Sequence, residues 1–181
     1  MAVGTAFQIV RFDKSALEDQ RKRLVDTYLS AYRAFPEYAY RDRREVEDYL
    51  AWLFRGDKKG FFVARAGKEI AGWMSVHDSW RGWRSEQPEA QGELQELVVA
   101  HQFQGQGLGR RLLALAIRHV AHAKRRSIGL YVGEHNEPAK RLYERYGFVV
   151  ESQWSIWLRM RRPIDPVVDE MLERVANDPE V

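Results

Sequence analysis

Between Leu97 and Leu113 the chain reads Leu-Val-Val-Ala-His-Gln-Phe-Gln-Gly-Gln-Gly-Leu-Gly-Arg-Arg-Leu-Leu. An apolar strand runs into an alternating glycine loop, and the loop opens straight into a helix. Gly105, Gly107 and Gly109 let the backbone bend sharply, and none places a Cβ in the path of a ligand. The helix leaves its first amides unpaired and carries partial positive charge at that end. Strand, turn and helix start together predict an anion site suited to phosphate. Spacing then discriminates between phosphate loops. The dinucleotide pattern G-x-G-x-x-G requires Gly at position 110 after Gly105 and Gly107, where Arg110 stands. A P-loop requires Gly-Lys-Ser/Thr, and the chain has no such tripeptide. What remains is Gln104-x-x-Gly107-x-Gly109.

The rest of the sequence supplies a scaffold for this loop. At 181 residues, with 45% hydrophobic and 30% charged residues, the chain suits one domain with its own core rather than a disordered segment. There is no Cys, hence no disulfide, no thiolate metal site and no thiol nucleophile. His119 and His122 lie three apart on a helix without a third ligand in register, so no metal site is expected. The N-terminus lacks a basic stretch followed by an apolar run, and no window reaches the length of a membrane span. A cytoplasmic protein without membrane contact is therefore expected. The net charge of +3 invites a nucleic-acid partner, but 29 basic residues are interleaved with 26 acidic ones. The densest basic cluster, Arg41, Arg43 and Arg44, is followed at once by Glu45, Glu47 and Asp48. That mixture argues against direct nucleic-acid binding.

Periodicity predicts a strand at 8–12, helices at 16–35 and 44–54, and a hairpin of strands at 61–65 and 70–77. A strand at 93–99 precedes the glycine loop, and the helix after it extends over 107–124. A strand at 128–132, a helix at 137–146 and a final antiparallel pair from Phe148 to Met160 follow. This order excludes a strict doubly wound parallel sheet and an all-β sandwich. Pro163 and Pro166 mark a boundary, giving a domain at 1–162 and a tail at 163–181. In the tail, Val167, Val168, Met171, Leu172 and Val175 form a short amphipathic stripe able to seal the core or pair two subunits as a homodimer.

A second motif follows the glycine loop. Tyr131 lies in the strand that leads into Asn136-x-x-Ala139-x-x-Leu142-Tyr143-x-x-x-Gly147-Phe148. Asn136 and Tyr143 stand seven residues apart, two helical turns, and so share a face. With both motifs in this order, separated by a helix and a strand, the chain resembles the GNAT superfamily of N-acetyltransferases. The resemblance covers residues 60–160 well and the first 55 by element order alone. It implies an α+β fold of three layers (α/β/α): a mixed, mostly antiparallel central sheet of six to seven strands with helices on both faces. It implies acetyl-CoA as co-substrate, with no metal. Leu97, Val98 and Val99 would hold the acyl-pantetheine arm through backbone groups. The amides of Gln104, Gly105, Gln106, Gly107, Leu108, Gly109 and Arg110 would hold the pyrophosphate. A splay between strands 93–99 and 128–132 would free those backbone groups for the ligand.

Acetyl transfer from a thioester to an amine needs a polarised carbonyl, a base for the ammonium and an acid for the departing thiolate. The resemblance points to Tyr143 as the acid, since a phenol near pKa ~10 can protonate a thiolate near ~8.5. Asn136 either binds cofactor or caps the helix. For the base, Glu93 falls where many family members carry a catalytic glutamate. Glu96, three residues on, projects to the opposite face of an ideal strand unless a bulge intervenes. Glu93, Glu96 or no dedicated side chain all remain open. The acceptor would be an amine of a small molecule or peptide. In this fold the first two helices wall its pocket, which brings Tyr28, Tyr32, Phe35, Tyr38 and Tyr40 into play, with Trp80 and Trp83 beyond. The second motif is also similar to that of the ribosomal-protein N-terminal alanine acetyltransferases, which keeps a protein N-terminus among the acceptors. The rival function is a non-catalytic acyl-CoA-binding module.

Overall fold

A computed structural model describes residues 6–56, 58–80, 91–165 and Leu172. The stripe at Val167–Val175, apart from Leu172, lies outside the described residues, as does Trp83. Leu172 packs on the core.

The elements are β1 (Gln8–Arg11), α1 (Lys14–Ala31), α2 (Arg43–Gly56), β2 (Phe61–Ala66), β3 (Glu69–Trp80), β4 (Gln91–Val99), α3 (Leu108–His122), β5 (Ser127–Gly133), α4 (Glu137–Arg145), β6 (Val149–Trp154) and β7 (Trp157–Pro163). The helices start on residues chosen for the task. Asp13 accepts a hydrogen bond from the Ala16 amide at 2.8 Å, and Asp42 accepts one from Arg44 at 2.8 Å. Asn136 accepts from Ala139 at 3.3 Å, so each supplies a partner to an otherwise orphaned helix amide. The first helix is shorter than its periodicity predicts. It stops at Ala31 and continues as two 3-10 turns, Tyr32–Ala34 and Pro36–Tyr38. Pro36 pushes the preceding Phe35 out of the helical region, to φ −138° and ψ 58°.

The strands form one seven-stranded sheet in the order β1-β2-β3-β4-β5-β7-β6. All neighbours are antiparallel except β4 and β5. On one face, α1 and α2 bury Leu24, Val25, Val46, Leu50 and Leu53 against Phe61, Val63, Trp73 and Val98. On the other, α3 and α4 bury Leu112, Leu113, Ile117, Val120 and Tyr143 against Met74, Leu94, Ile128 and Leu130. The result is the mixed three-layer sheet that the sequence implies.

Two departures from regularity position the site. The parallel pairing of β4 with β5 runs only from Gly92 opposite Ile128 to Leu94 opposite Leu130. Both strands continue, β4 to Val99 and β5 to Gly133, but they have parted. Just there β4 bulges: Ser75 of β3 faces Glu96 while Val76 faces Leu94, which leaves Gln95 as the extra residue.

Helix α3 lies hard against the paired end of β4. A Cβ on Gly92 would stand 2.3 Å from a Val120 methyl carbon. Gly92→Ala is expected to destabilise the fold by about 1–3 kcal/mol through overpacking. Urea denaturation checks this, and an unchanged midpoint would mean that α3 backs away freely.

Candidate active site

The parted strands open a cleft of about 840 Å³. Its floor is β4 from Leu94 to Val99, its far wall is β5 with the first turns of α4, and its near wall is the end of α1 and the turns after it, with Tyr49 and Trp52 of α2. At one end stands the glycine loop. Gly105 and Gly107 adopt φ of +75° and +80°, and Gly107 caps α3 in the left-handed conformation. Space is open where a Gly105 side chain would project. Gln104 faces inward: its side-chain amide donates to the carbonyls of Val99 at 3.0 Å and Ala31 at 3.4 Å, tying the loop to β4 and α1. The Gln106 side chain likewise donates back to the Gln102 carbonyl at 3.0 Å. The loop therefore offers ligands its backbone, and the amides at the start of α3 have no partner within the helix. Gly109 also lines the cleft, Leu108 is buried beneath the loop, and Arg110 is half-buried.

The bulge at Gln95 brings Glu93 and Glu96 onto the same face of the sheet, where an ideal strand would oppose them. Their surroundings then separate them. The buried Glu93 takes both donors of the Arg159 fork, one bond measuring 2.8 Å from Nη2 to Oε2. To reach it, Arg159 crosses β5 over Gly129, where a Cβ would stand 2.2 Å from the guanidinium. The guanidinium lies 4.8 Å from the ring centre of Tyr131.

Glu96 sits in the floor of the cleft among tyrosines. Tyr32 donates to its Oε1 at 2.8 Å, and the Leu97 amide reaches the same oxygen at 3.2 Å. Tyr49 donates to the Gln95 carbonyl at 3.4 Å and also bonds the Glu96 carboxylate. Burial pushes the Glu96 carboxyl up to about 7, with the hydrogen bonds from Tyr32, Tyr49 and Leu97 opposing it. Tyr143 faces the cleft from α4. Burial first, and then the charge of Glu96, hold its hydroxyl above the ordinary phenol range. Asn136 lines the cleft while its side-chain oxygen caps α4.

Most sequence-derived site residues thus gather at one cleft: Glu96, Leu97, Val98, Val99, Gln104, Gly105, Gly109, Asn136 and Tyr143 line it. Gln106, Gly107, Leu108 and Arg110 do not, nor does Glu93, whose carboxylate is engaged by Arg159. Sequence reasoning missed Gln95, Tyr49, Trp52, Tyr131, Trp154 and Trp157, all of which line the cleft. The signals were faint: a phenol within the aliphatic stripe of α2, and two tryptophans flanking a hairpin turn. The 3-10 turn after α1 contributes Tyr38, whose ring lies on Gly133 and 5.3 Å from Trp157, and whose hydroxyl accepts from the His135 amide at 3.0 Å. Among the described residues no group of three or more His, Asp or Glu is placed to hold a metal, and no helix is long and apolar enough to cross a membrane.

Removing charge from Glu93 leaves Arg159 buried without its counter-ion. Glu93→Gln is expected to destabilise the protein by about 3–5 kcal/mol. A thermal melt reads the loss, and a melt within a degree or two of wild type would deny the pair that structural weight.

Comparisons with known proteins fit this geometry. The model of the Acetyltransferase (GNAT) family matches residues 22–148. An uncharacterized N-acetyltransferase of Archaeoglobus fulgidus is 33% identical over 136 residues, 75% of this chain and 88% of that protein. Among solved structures, the PH1933 protein of Pyrococcus horikoshii OT3 superposes with a TM-score of 0.76 at 32% identity, over 88% of this chain and 99% of that one. The PaiA N-acetyltransferase of Thermoplasma acidophilum, solved in complex with coenzyme A, shares the fold at a TM-score of 0.70 and 16% identity, over 87% of this chain and 99% of its own.

Proposed function

The chain belongs to the GNAT family of acetyltransferases, and from that premise we propose that it moves an acetyl group from acetyl-CoA to a primary amine by direct attack, with Glu96 as base and Tyr143 as acid. The observation that carries this reading is the placement of those two groups on facing parts of one cleft, at the point where β4 and β5 part.

The edge of β4 beyond Leu94, which makes no ladder with β5, suits the pantetheine amides, and Leu97, Val98 and Val99 are the residues that would meet them. The loop amides from Gln104 to Arg110 suit the pyrophosphate, which draws the thioester along the cleft toward Glu96. Asn136 borders this path. The acceptor arrives as an ammonium. A carboxylate at its ordinary pKa would be a poor base for it, and raising that pKa toward 7 narrows the gap. The amine loses its proton to Glu96 and attacks the thioester carbon. A C–N bond forms, the C–S bond breaks, the departing thiolate takes the Tyr143 proton, and the second proton of the attacking nitrogen passes to the tyrosinate to leave a neutral amide. The two proton transfers assist each other. Once protonated, Glu96 is neutral and no longer raises the pKa of Tyr143, so the phenol becomes a better donor as the thiolate leaves. With no cysteine in the chain, a cysteinyl acyl-enzyme has no place in this scheme.

Three outcomes are expected. Since Glu96 must be ionised to accept the proton, kcat/KM rises with pH and levels off above about 7. Glu96→Gln removes that rise and lowers kcat by about 10²–10⁴. Thiol release across a pH series checks both, and a Glu96→Gln enzyme with wild-type turnover would remove Glu96 from the chemistry. Tyr143→Phe is expected to reduce turnover while leaving acetyl-CoA affinity within about twofold, as calorimetry would show; loss of both together would make Tyr143 a packing residue instead.

A further inference from the structure

Of the chain's 181 residues, 29 are Lys or Arg, yet among the described residues lining the cleft there is no Lys, Arg or His. The charged lining residues are two carboxylates, Glu96 in the floor and Glu37 at the exposed rim. The remainder of the acceptor end is mostly aromatic, with Ala34, Ala39 and the neutral Gln95 between the rings. Tyr40, Tyr131 and Trp154 are 47%, 52% and 76% exposed. These are large rings left uncovered, and they line the cleft. The cation beneath Tyr131, Arg159, is already bound to Glu93. Tyr38 closes the near wall onto β5 and β7 through Gly133, the His135 amide and Trp157. That contact favours a compact acceptor over a chain needing an exit.

Each feature selects by charge and shape. An ammonium is attracted by the faces of aromatic rings and by a carboxylate. An anionic group beside the amine would be drawn from water toward Glu96 and meet no cation in the lining, at a desolvation cost without return. Building on the acetyltransferase reading above, we propose that the acceptor is a compact cationic amine with an aromatic body and no carboxylate or phosphate beside the nitrogen, an arylalkylamine in chemical class. Trp154 and Tyr131 receive the aromatic body, and Glu96 receives the ammonium. Trp154 is then a specificity-determining residue.

The experiment is thiol release from acetyl-CoA with matched acceptors: 2-phenylethylamine, phenylalanine, phenylalanine amide, spermidine and a short peptide with an N-terminal phenylalanine. Acetyl-CoA binding is followed in parallel by calorimetry. The expected result is a kcat/KM for 2-phenylethylamine about tenfold or more above that for phenylalanine, with the uncharged amide recovering most of the difference. Spermidine and the peptide should fall below the amine. Trp154→Ala, a change at an exposed position, should raise KM for 2-phenylethylamine about fivefold and leave acetyl-CoA binding unchanged. Phenylalanine used as well as the amine, or spermidine or the peptide preferred to it, would overturn the proposal. So would an unaltered KM in Trp154→Ala. Silence with every acceptor while acetyl-CoA binds would sink this acceptor class and leave the acetyltransferase reading intact; failure to bind acetyl-CoA would sink both.

Discussion

The buried pair of Glu93 and Arg159 holds the last stretch over which β4 and β5 run together, and the functional groups of the cleft lie beyond it. The pair spans three strands. Glu93 sits on β4, Arg159 on β7, and the guanidinium passes over β5 where Gly129 presents no side chain. Inside a protein such a pair contributes little net stability over an apolar replacement, but losing one partner leaves a bare charge, so the geometry is strongly enforced. The parallel register ends within one residue of this clamp. Past it, β4 keeps its hydrogen bonds to β3 and has none in register with β5. On that edge the Gln95 and Val99 carbonyls and the Leu97 amide are met by the side chains of Tyr49, Gln104 and Glu96; polar backbone groups in a protein interior need such partners, from a side chain or from a ligand. Coenzyme A, with its amide-bearing arm, is a ligand of that kind.

The bulge at Gln95 is the second constraint. Without it Glu96 would point into the layer shared with α3, among leucines and valines. With it the carboxylate enters the cleft beside the end of α1, where Tyr32 and Tyr49 reach it. Glu93 and Glu96 thus illustrate how environment distinguishes like groups three residues apart. One is matched by a guanidinium and serves the fold. The other is met by neutral hydroxyls, which hold the carboxylate in place without neutralising it. Its proton affinity is raised toward the range in which a base for an ammonium is useful. The tyrosines also form one face of the cleft, so the residues that tune the carboxylate shape the volume in which an acceptor must fit.

Much of the fold was legible along the chain because helices and strands report on themselves locally. The stripe Leu108, Leu112, Leu113, Ala116, Ile117 and Val120 is apolar at helical spacing, and all six side chains are buried. Proline, glycine and capping residues bounded most elements, although Pro36 cut α1 back to Ala31, four residues short of what periodicity suggested. The tyrosines of the first helix illustrate a harder case. Their spacing reads as core, and Tyr28 is buried, yet it lines the cleft beside Tyr32. A core residue and a wall residue have the same helical phase when the cleft is cut into the core itself.

What the sequence by itself determined is the class of protein. Two motifs in order, a glycine loop at a helix start and an Asn-to-Tyr helix face, depend on backbone conformations and spacings that neighbouring residues set. What only the tertiary structure decided is which carboxylate lines the cleft and what surrounds it. Glu96 meets Tyr32 across 64 positions of sequence, and Glu93 meets Arg159 across 66. The strand pattern of β4 allowed either glutamate to face the cleft. One extra residue in its pairing with β3 placed both on the same face, and the arrival of a cation from β7 at one and of phenols from the helices at the other distinguished them. Such a choice arises from packing between distant segments, where burial and hydrogen bonding act on a side chain without leaving a mark in the residues beside it.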